Sequence, residues 1–247
     1  MIQALDHVVV AAKSVDAAVS DYEMLFGRRA DGASIRLGNT CLRLQAGDAG
    51  LEGLSGLGLA VADLAKAERL VTQRALSVAK REPGAALELA IAPATTHGVS
   101  IKLVERAGEA AAPSALLADE AAAVTGLDHI VVRSPNPERA IALYAGRLGL
   151  SLRLDRTEPA WGARLVFFRC GDLVLEVAHD LGAGIGDGPD RLWGLSWRVP
   201  DVVRARARLQ AAGVAVSDVR TGRRPGTQVF TVKSHIAGVP TLMIGPA

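Results

Sequence analysis

Two short stretches set the pattern of this chain. Residues 4–12 read ALDHVVVAA and residues 126–134 read GLDHIVVRS. In each, a β-branched apolar run follows a polar Asp-His pair, and such a run between polar residues predicts a buried strand. A helical stretch follows, over residues 17–26 in the first copy and 137–148 in the second. Two further stretches, GLGLAVADLAKAERLVTQRALSVAK from Gly56 and GLSWRVPDVVRARARLQAAGVAVSD from Gly194, keep this order without the histidine. Each opens as a strand, reaches an aspartate (Asp63, Asp201) and continues as an amphipathic helix. An aspartate there suits a helix N-cap, because its carboxylate accepts from backbone N–H groups that the first turn leaves unpaired.

These starts divide the chain into four units, beginning near positions 7, 56, 129 and 194. Behind the third helix lie apolar strand-like pieces at 150–154, 164–169 and 173–177. Behind the fourth they lie at 215–219, 228–232 and 241–244. The unit is one strand, one helix and three strands, with the first unit shortened. Residues 105–125 are rich in alanine and poor in large apolar side chains, and read as a connection. The pattern predicts an α+β fold with domains at 1–106 and 126–247, joined through 107–125.

Composition narrows the function classes. At 49% hydrophobic the chain can bury a sizeable core, and a net charge of +2 gives no general pull toward nucleic acid or membrane. Cys41 and Cys170 form no spacing motif. No apolar run approaches the roughly 18 residues needed to span a bilayer. The expectation is a soluble, cytoplasmic protein, monomer or homodimer, whose partner is a small molecule.

Four strand–helix–three-strand units, grouped in pairs and opening on LDHIVV, resemble the vicinal oxygen chelate superfamily. That group includes glyoxalase I, bleomycin and fosfomycin resistance proteins, extradiol dioxygenases and methylmalonyl-CoA epimerase. The resemblance covers nearly the whole chain and implies that paired units form cupped sheets. It also implies metal ligands at the head of each unit's first strand and on its last strand. The first-strand positions here are His7, Gly56, His129 and Gly194, and the last-strand positions are Arg43, Lys102, Glu176 and Leu242. Only the third unit carries ligand types at both places. His129 and Glu176 are therefore the implied metal pair, and Glu176 the implied catalytic group.

Imidazole nitrogen and carboxylate oxygen suit Zn, Fe, Mn or Ni as a divalent ion, which would polarise neighbouring substrate oxygens. A third donor is needed, and His235, just before the final strand, is the best-placed guess, as donor or substrate contact. A buried His–Glu pair without metal accounts for the same two residues. Period-two alternation puts Arg133 on the face of His129 and Arg198 on that of Gly194, where both would meet an acidic substrate. Phe168, Trp161 and Trp193 are aromatic candidates for a pocket wall. In the N-terminal cup His7, Arg43 and Lys102 would gather positive charge and repel a cation. The stretch DLGAGIGDGPD, residues 180–190, fits no phosphate-binding motif and reads as a flexible loop able to serve as a lid. Two functions fit. One is a glyoxalase/dioxygenase-like lyase, isomerase or dioxygenase acting on a small oxygenated substrate in the C-terminal cup. The other is a metal-free small-molecule binding protein of the bleomycin-resistance type.

Overall fold

The computed structural model describes residues 1–79, 88–106 and 112–247. Residues 107–111 of the expected connection, and Lys80 at the end of the second repeat stretch, lie outside these. The first half runs β1 (Ile2–Ala12), α1 (Val15–Phe26), β2 (Ser34–Arg36), β3 (Cys41–Ala46), β4 (Gly53–Val61), α2 (Leu64–Gln73), β5 (Glu88–Ile91) and β6 (Ile101–Glu105). The second half runs β7 (Gly126–Arg133), α3 (Pro137–Ile141), β8 (Ser151–Glu158), β9 (Ala163–Cys170), β10 (Leu173–Asp180), β11 (Arg191–Arg198), α4 (Val202–Ala211), β12 (Arg220–Thr221), β13 (Thr227–Val232) and β14 (Thr241–Pro246). The strands form a six-stranded sheet in the order β2-β3-β1-β4-β6-β5 and an eight-stranded sheet in the order β12-β13-β14-β11-β7-β10-β9-β8. This is the α+β arrangement of paired units that the repeats predict. No helix among the described residues is long and apolar enough to cross a membrane.

Each unit turns from first strand to helix by the same device. Ser14, Asp63, Asn136 and Asp201 each accept a hydrogen bond from the backbone N–H three residues on, so all four helices start on a side-chain cap. Helix α3 is shorter than the predicted 137–148, because after Ile141 the chain widens into a π-helical turn over Ala142–Arg147. The expected strand at 215–219 is also corrected. Only Val216 bridges to the sheet, at Val232, and the strand forms later, at Arg220–Thr221. Ser217 is the cause. Its hydroxyl accepts from Thr231 N and its carbonyl from Arg206 Nε, so a side chain takes part of the pairing that a regular strand would supply.

The described residues group into two compact units. One comprises Met1–His7, Ser55–Ala110 and Ile130–Trp193; the other comprises Val8–Leu54, Ala111–His129 and Gly194–Ala247. In the first, Tyr144 and Phe168 are fully buried with ring centroids 5.5 Å apart. Phe168 is thus a core residue and not part of a pocket wall. Strand alternation leaves its neighbour Phe167 on the opposite face, directly across from Glu176 in the β9–β10 register. In the second, Tyr22, Phe26 and Trp197 stack edge to face at 5.4 and 4.6 Å. Arg208 threads this core and donates to the carbonyls of Met24 and Leu25, closing the C-terminal end of α1.

Candidate functional site

Both copies of the repeated phrase fold into the same local arrangement. His7 Nδ1 lies 2.7 Å from Asp6 Oδ2, and His129 Nδ1 lies 2.9 Å from Asp128 Oδ2. Each aspartate also receives arginine. Arg106 Nε donates to Asp6 Oδ1 at 2.8 Å; Arg224 Nη2 and Arg198 Nε reach Asp128 Oδ1 at 3.2 and 3.4 Å. Burial works to raise the Asp128 carboxyl, but the His129 hydrogen bond and charge, then Arg224, outweigh it and hold it far below the usual range. An ionised carboxylate only accepts, so Nδ1 of His129 carries the proton and Nε2 is the basic nitrogen of the neutral ring. Ser196 Oγ lies 2.8 Å from that Nε2. The result is a hydrogen-bonded chain from Asp128 through His129 to Ser196.

The two copies differ in what stands beside the ring. The residue matching Ser196 in the first copy is Gly58, two places after the Gly that heads its stretch. A Cβ there would lie 2.2 Å from His7 Cε1. The His7 side chain, 1% exposed, is packed flat against bare backbone, whereas His129 is 20% exposed. The copy at His129 is the open one.

The remaining predicted residues are distributed as follows. Glu176 is half-buried on β10, in the first compact unit, on the face opposite Leu175 and Val177. Arg133 is exposed, with its guanidinium 4.3 Å from the ring centre of Trp193. Trp161, at the β8–β9 turn, has Arg156 at 5.3 Å over its ring. Arg198 joins Asp128 in the arrangement above. His235 stands in an exposed turn at positive φ with Nδ1 2.9 Å from Ser234 Oγ. Lys102 donates to Glu88 at 3.0 Å, and Arg43 faces Ser34 in the β2–β3 register. The segment 180–190 is strapped down. Arg139 donates to the carbonyls of Asp187 and Gly188 and to the buried carboxylate of Asp190, while Gly186 N donates to Pro135 O.

Three contributors escaped the reading of the sequence. An aspartate precedes the histidine in both copies, Asp6 before His7 and Asp128 before His129, and that repetition was the available signal. Ser196 shares strand parity with Gly194, so alternation alone could have found it. Arg224 comes from the turn between β12 and β13, and no local pattern ties that turn to Asp128.

The donor set bears on a metal. In the β11–β14 register Ser196 lies beside Leu242, a side chain with no donor atom. At Gly194 a Cβ would sit 2.8 Å from the Pro240 carbonyl oxygen, leaving no room for a ring. The basic nitrogen of His129 is engaged by a hydroxyl. Among the described residues no three His, Cys, Asp or Glu side chains gather into a ligand group. Two donors rarely hold a divalent ion, so these residues do not fit a tightly bound metal.

Residues 128–231 match the family described as the Glyoxalase/Bleomycin resistance protein/Dioxygenase superfamily. Over 97 residues the chain is 29% identical to an ethylmalonyl-CoA/methylmalonyl-CoA epimerase of Cereibacter sphaeroides, a match covering 36% of this chain and 72% of the relative. Among solved structures, a halotolerant catechol dioxygenase superposes with a TM-score of 0.73 at 14% identity, over 98% of this chain and 87% of that one. A Mn(II)-bound glyoxalase from Novosphingobium aromaticivorans gives 0.72 at 17% identity, over 99% and 82%. At these identities the structural likeness is one of fold.

Proposed function

On a chain that has the vicinal oxygen chelate fold, and whose C-terminal half matches the glyoxalase and dioxygenase superfamily, we propose that the open histidine is the working group of an enzyme. It transfers a proton on a small oxygenated substrate held at the eight-stranded sheet, without a resident metal. The observation that carries this reading is the Asp128–His129–Ser196 chain. Asp128 fixes the ring and its tautomer and stabilises the imidazolium formed when Nε2 accepts a proton. Ser196 holds the basic lone pair until substrate displaces its O–H. A carbon acid beside a carbonyl suits such a base, and the epimerase relative makes an acyl thioester the first substrate to try.

A second reading, a small-molecule binding protein without turnover, is favoured by Gly194 and Leu242, where the resemblance implies ligands.

The test is proton exchange in deuterated water, followed by NMR, across a panel of acyl thioesters and 2-oxo and 2-hydroxy acids. The expected result is loss of the proton next to the carbonyl for one class, unaffected by chelator. His129→Gln should slow it by about a hundredfold or more, and Asp128→Asn by about tenfold or more. Exchange that requires added metal would overturn the metal-free mechanism. Saturable binding with no exchange would establish the second reading.

A further inference from the structure

We propose that Leu242 is the specificity-determining residue beside Ser196, and that it seats an alkyl branch on the carbon whose proton His129 moves. The substrate class is then an acyl compound with an apolar substituent, rather than a carboxylate, next to its carbonyl. This inference rests on the preceding reading of His129 as a base and adds the substituent that the base accepts.

The first ground is which side chains share a face. In the β11–β14 register Ser196 pairs with Leu242, Trp197 with Met243 and Arg198 with Ile244. In the β13–β14 register Thr231 pairs with Leu242, Phe230 with Met243 and Val229 with Ile244. Paired residues stand on one face of a sheet, and successive residues along a strand alternate. Trp197, Met243 and Phe230 are all buried, so their row marks the face turned to the core. Ser196, Leu242 and Thr231 form a row on the other face, and Ile244 and Val229 follow in the next row, beside Arg198. All of these residues belong to the second compact unit.

The second ground is what this face offers. Neighbouring strands lie about 4.8 Å apart, so Leu242 adjoins the hydroxyl that holds His129 Nε2. Leu242 and Thr231 are half-buried, whereas Ile244 and Val229 are nearly covered. A substrate that displaces the Ser196 O–H from the ring brings its reacting carbon to this place, and a substituent directed along the row meets Leu242. An alkyl group leaves water there against the carbon of Leu242, with Ile244 and Val229 behind it. A carboxylate would lose hydration with no cationic side chain in the row, since Arg198, in the next row, is joined to Asp128. Thr231 ends the apolar strip two strands from Ser196, about 10 Å away, which suits a short branch.

The test uses N-acetylcysteamine thioesters of acetyl, 2-methylbutyryl and methylmalonyl groups, and follows exchange of the proton next to the thioester carbonyl in deuterated water. The last two differ by an ethyl group against a carboxylate of similar size. Ratios of kcat/KM between substrates are compared across variants, so that the intrinsic acidities cancel. Leu242→Ala should lower the preference for 2-methylbutyryl over acetyl about tenfold, and Leu242→Met should keep it within about twofold of the parent. Leu242→Lys should shift the balance between methylmalonyl and 2-methylbutyryl toward methylmalonyl about tenfold or more. Leu154→Ala, an exposed change on β8, should leave both ratios unchanged. A uniform loss across the three substrates in Leu242→Ala, as a merely structural role would give, or ratios that it does not move, would overturn the proposal. If the parent exchanges none of the three, the base reading fails, and calorimetric binding of the same thioesters tests the subsite alone. The subsite then stands if the parent binds 2-methylbutyryl about tenfold more tightly than acetyl and Leu242→Ala binds the two equally. It falls if the parent binds them equally or binds neither.

Discussion

At Asp6 three influences meet on one carboxyl. Burial raises its pKa, and the hydrogen bonds and charges of His7 and Arg106 bring it down further, to about 2 from 3.8. A folded-state value below the unfolded one means the contribution to stability is complete above about pH 4 and is lost as pH falls through about 2. The shift corresponds to roughly 2 kcal/mol. In urea unfolding across that range, Asp6→Asn should be less stable than the parent by about that amount near neutrality, with the gap closing toward pH 2. A gap that stays constant with pH would show that the charge is not its source. Repetition and strand parity are local signals, and they drew attention to His129 as a metal ligand and to Arg198 as a contact for an acidic substrate; that both lie against Asp128 was not readable from them. Phe168 was misplaced by the same kind of signal. Its strand was evident, but which face looked inward depended on Tyr144, which lies on another element.

Among the elements, the contrast between β4 and β11 is the informative one. Both begin a repeat stretch with glycine, yet Gly58 admits the His7 ring and Ser196 hydrogen-bonds the His129 ring. Gly58→Ala would push a methyl carbon to within 2.2 Å of a ring with no space to retreat into. The expected loss is about 2 kcal/mol or more, as for other overpacked cores, seen as a lower thermal midpoint. Adding His7→Ala should recover part of that loss; no recovery in the double variant would mean that the two residues do not compete for one space. The helix starts were legible, since caps and apolar spacing are local, but the end of α3 was not, because the chain widens into a π-helical turn after Ile141. The strand expected at 215–219 was not, because Ser217 exchanges hydrogen bonds with β13 and with Arg206 on α4, partners that only the tertiary fold supplies.

For the molecule as a whole, the two cysteines report on opening. Cys170 is buried at the end of β9, and desolvation, with Asp172 adding to it, pushes its thiol up to about 12. Thiolate is the reactive form, so labelling at neutral pH should reach half-buried Cys41 first and Cys170 only through global unfolding. The Cys170 rate should rise with denaturant in step with the loss of secondary structure. Fast labelling of Cys170 in the absence of denaturant would show that β9 opens independently. The four-unit plan was readable because each copy repeats its own start. The chemistry was not, because Asp128, Ser196 and Arg224 come together from three separate stretches of chain.

The close approach at Gly194 has a consequence for protein engineering. A residue with no side chain there lets the Pro240 carbonyl stand 2.8 Å from where any Cβ would be. A side chain introduced at that position meets a main-chain obstacle, and Leu242, beside Ser196, brings no donor atom. Grafting a chelating side chain onto this strand therefore calls for coordinated changes on two strands, whereas the Ser196–His129 pair can be varied one side chain at a time.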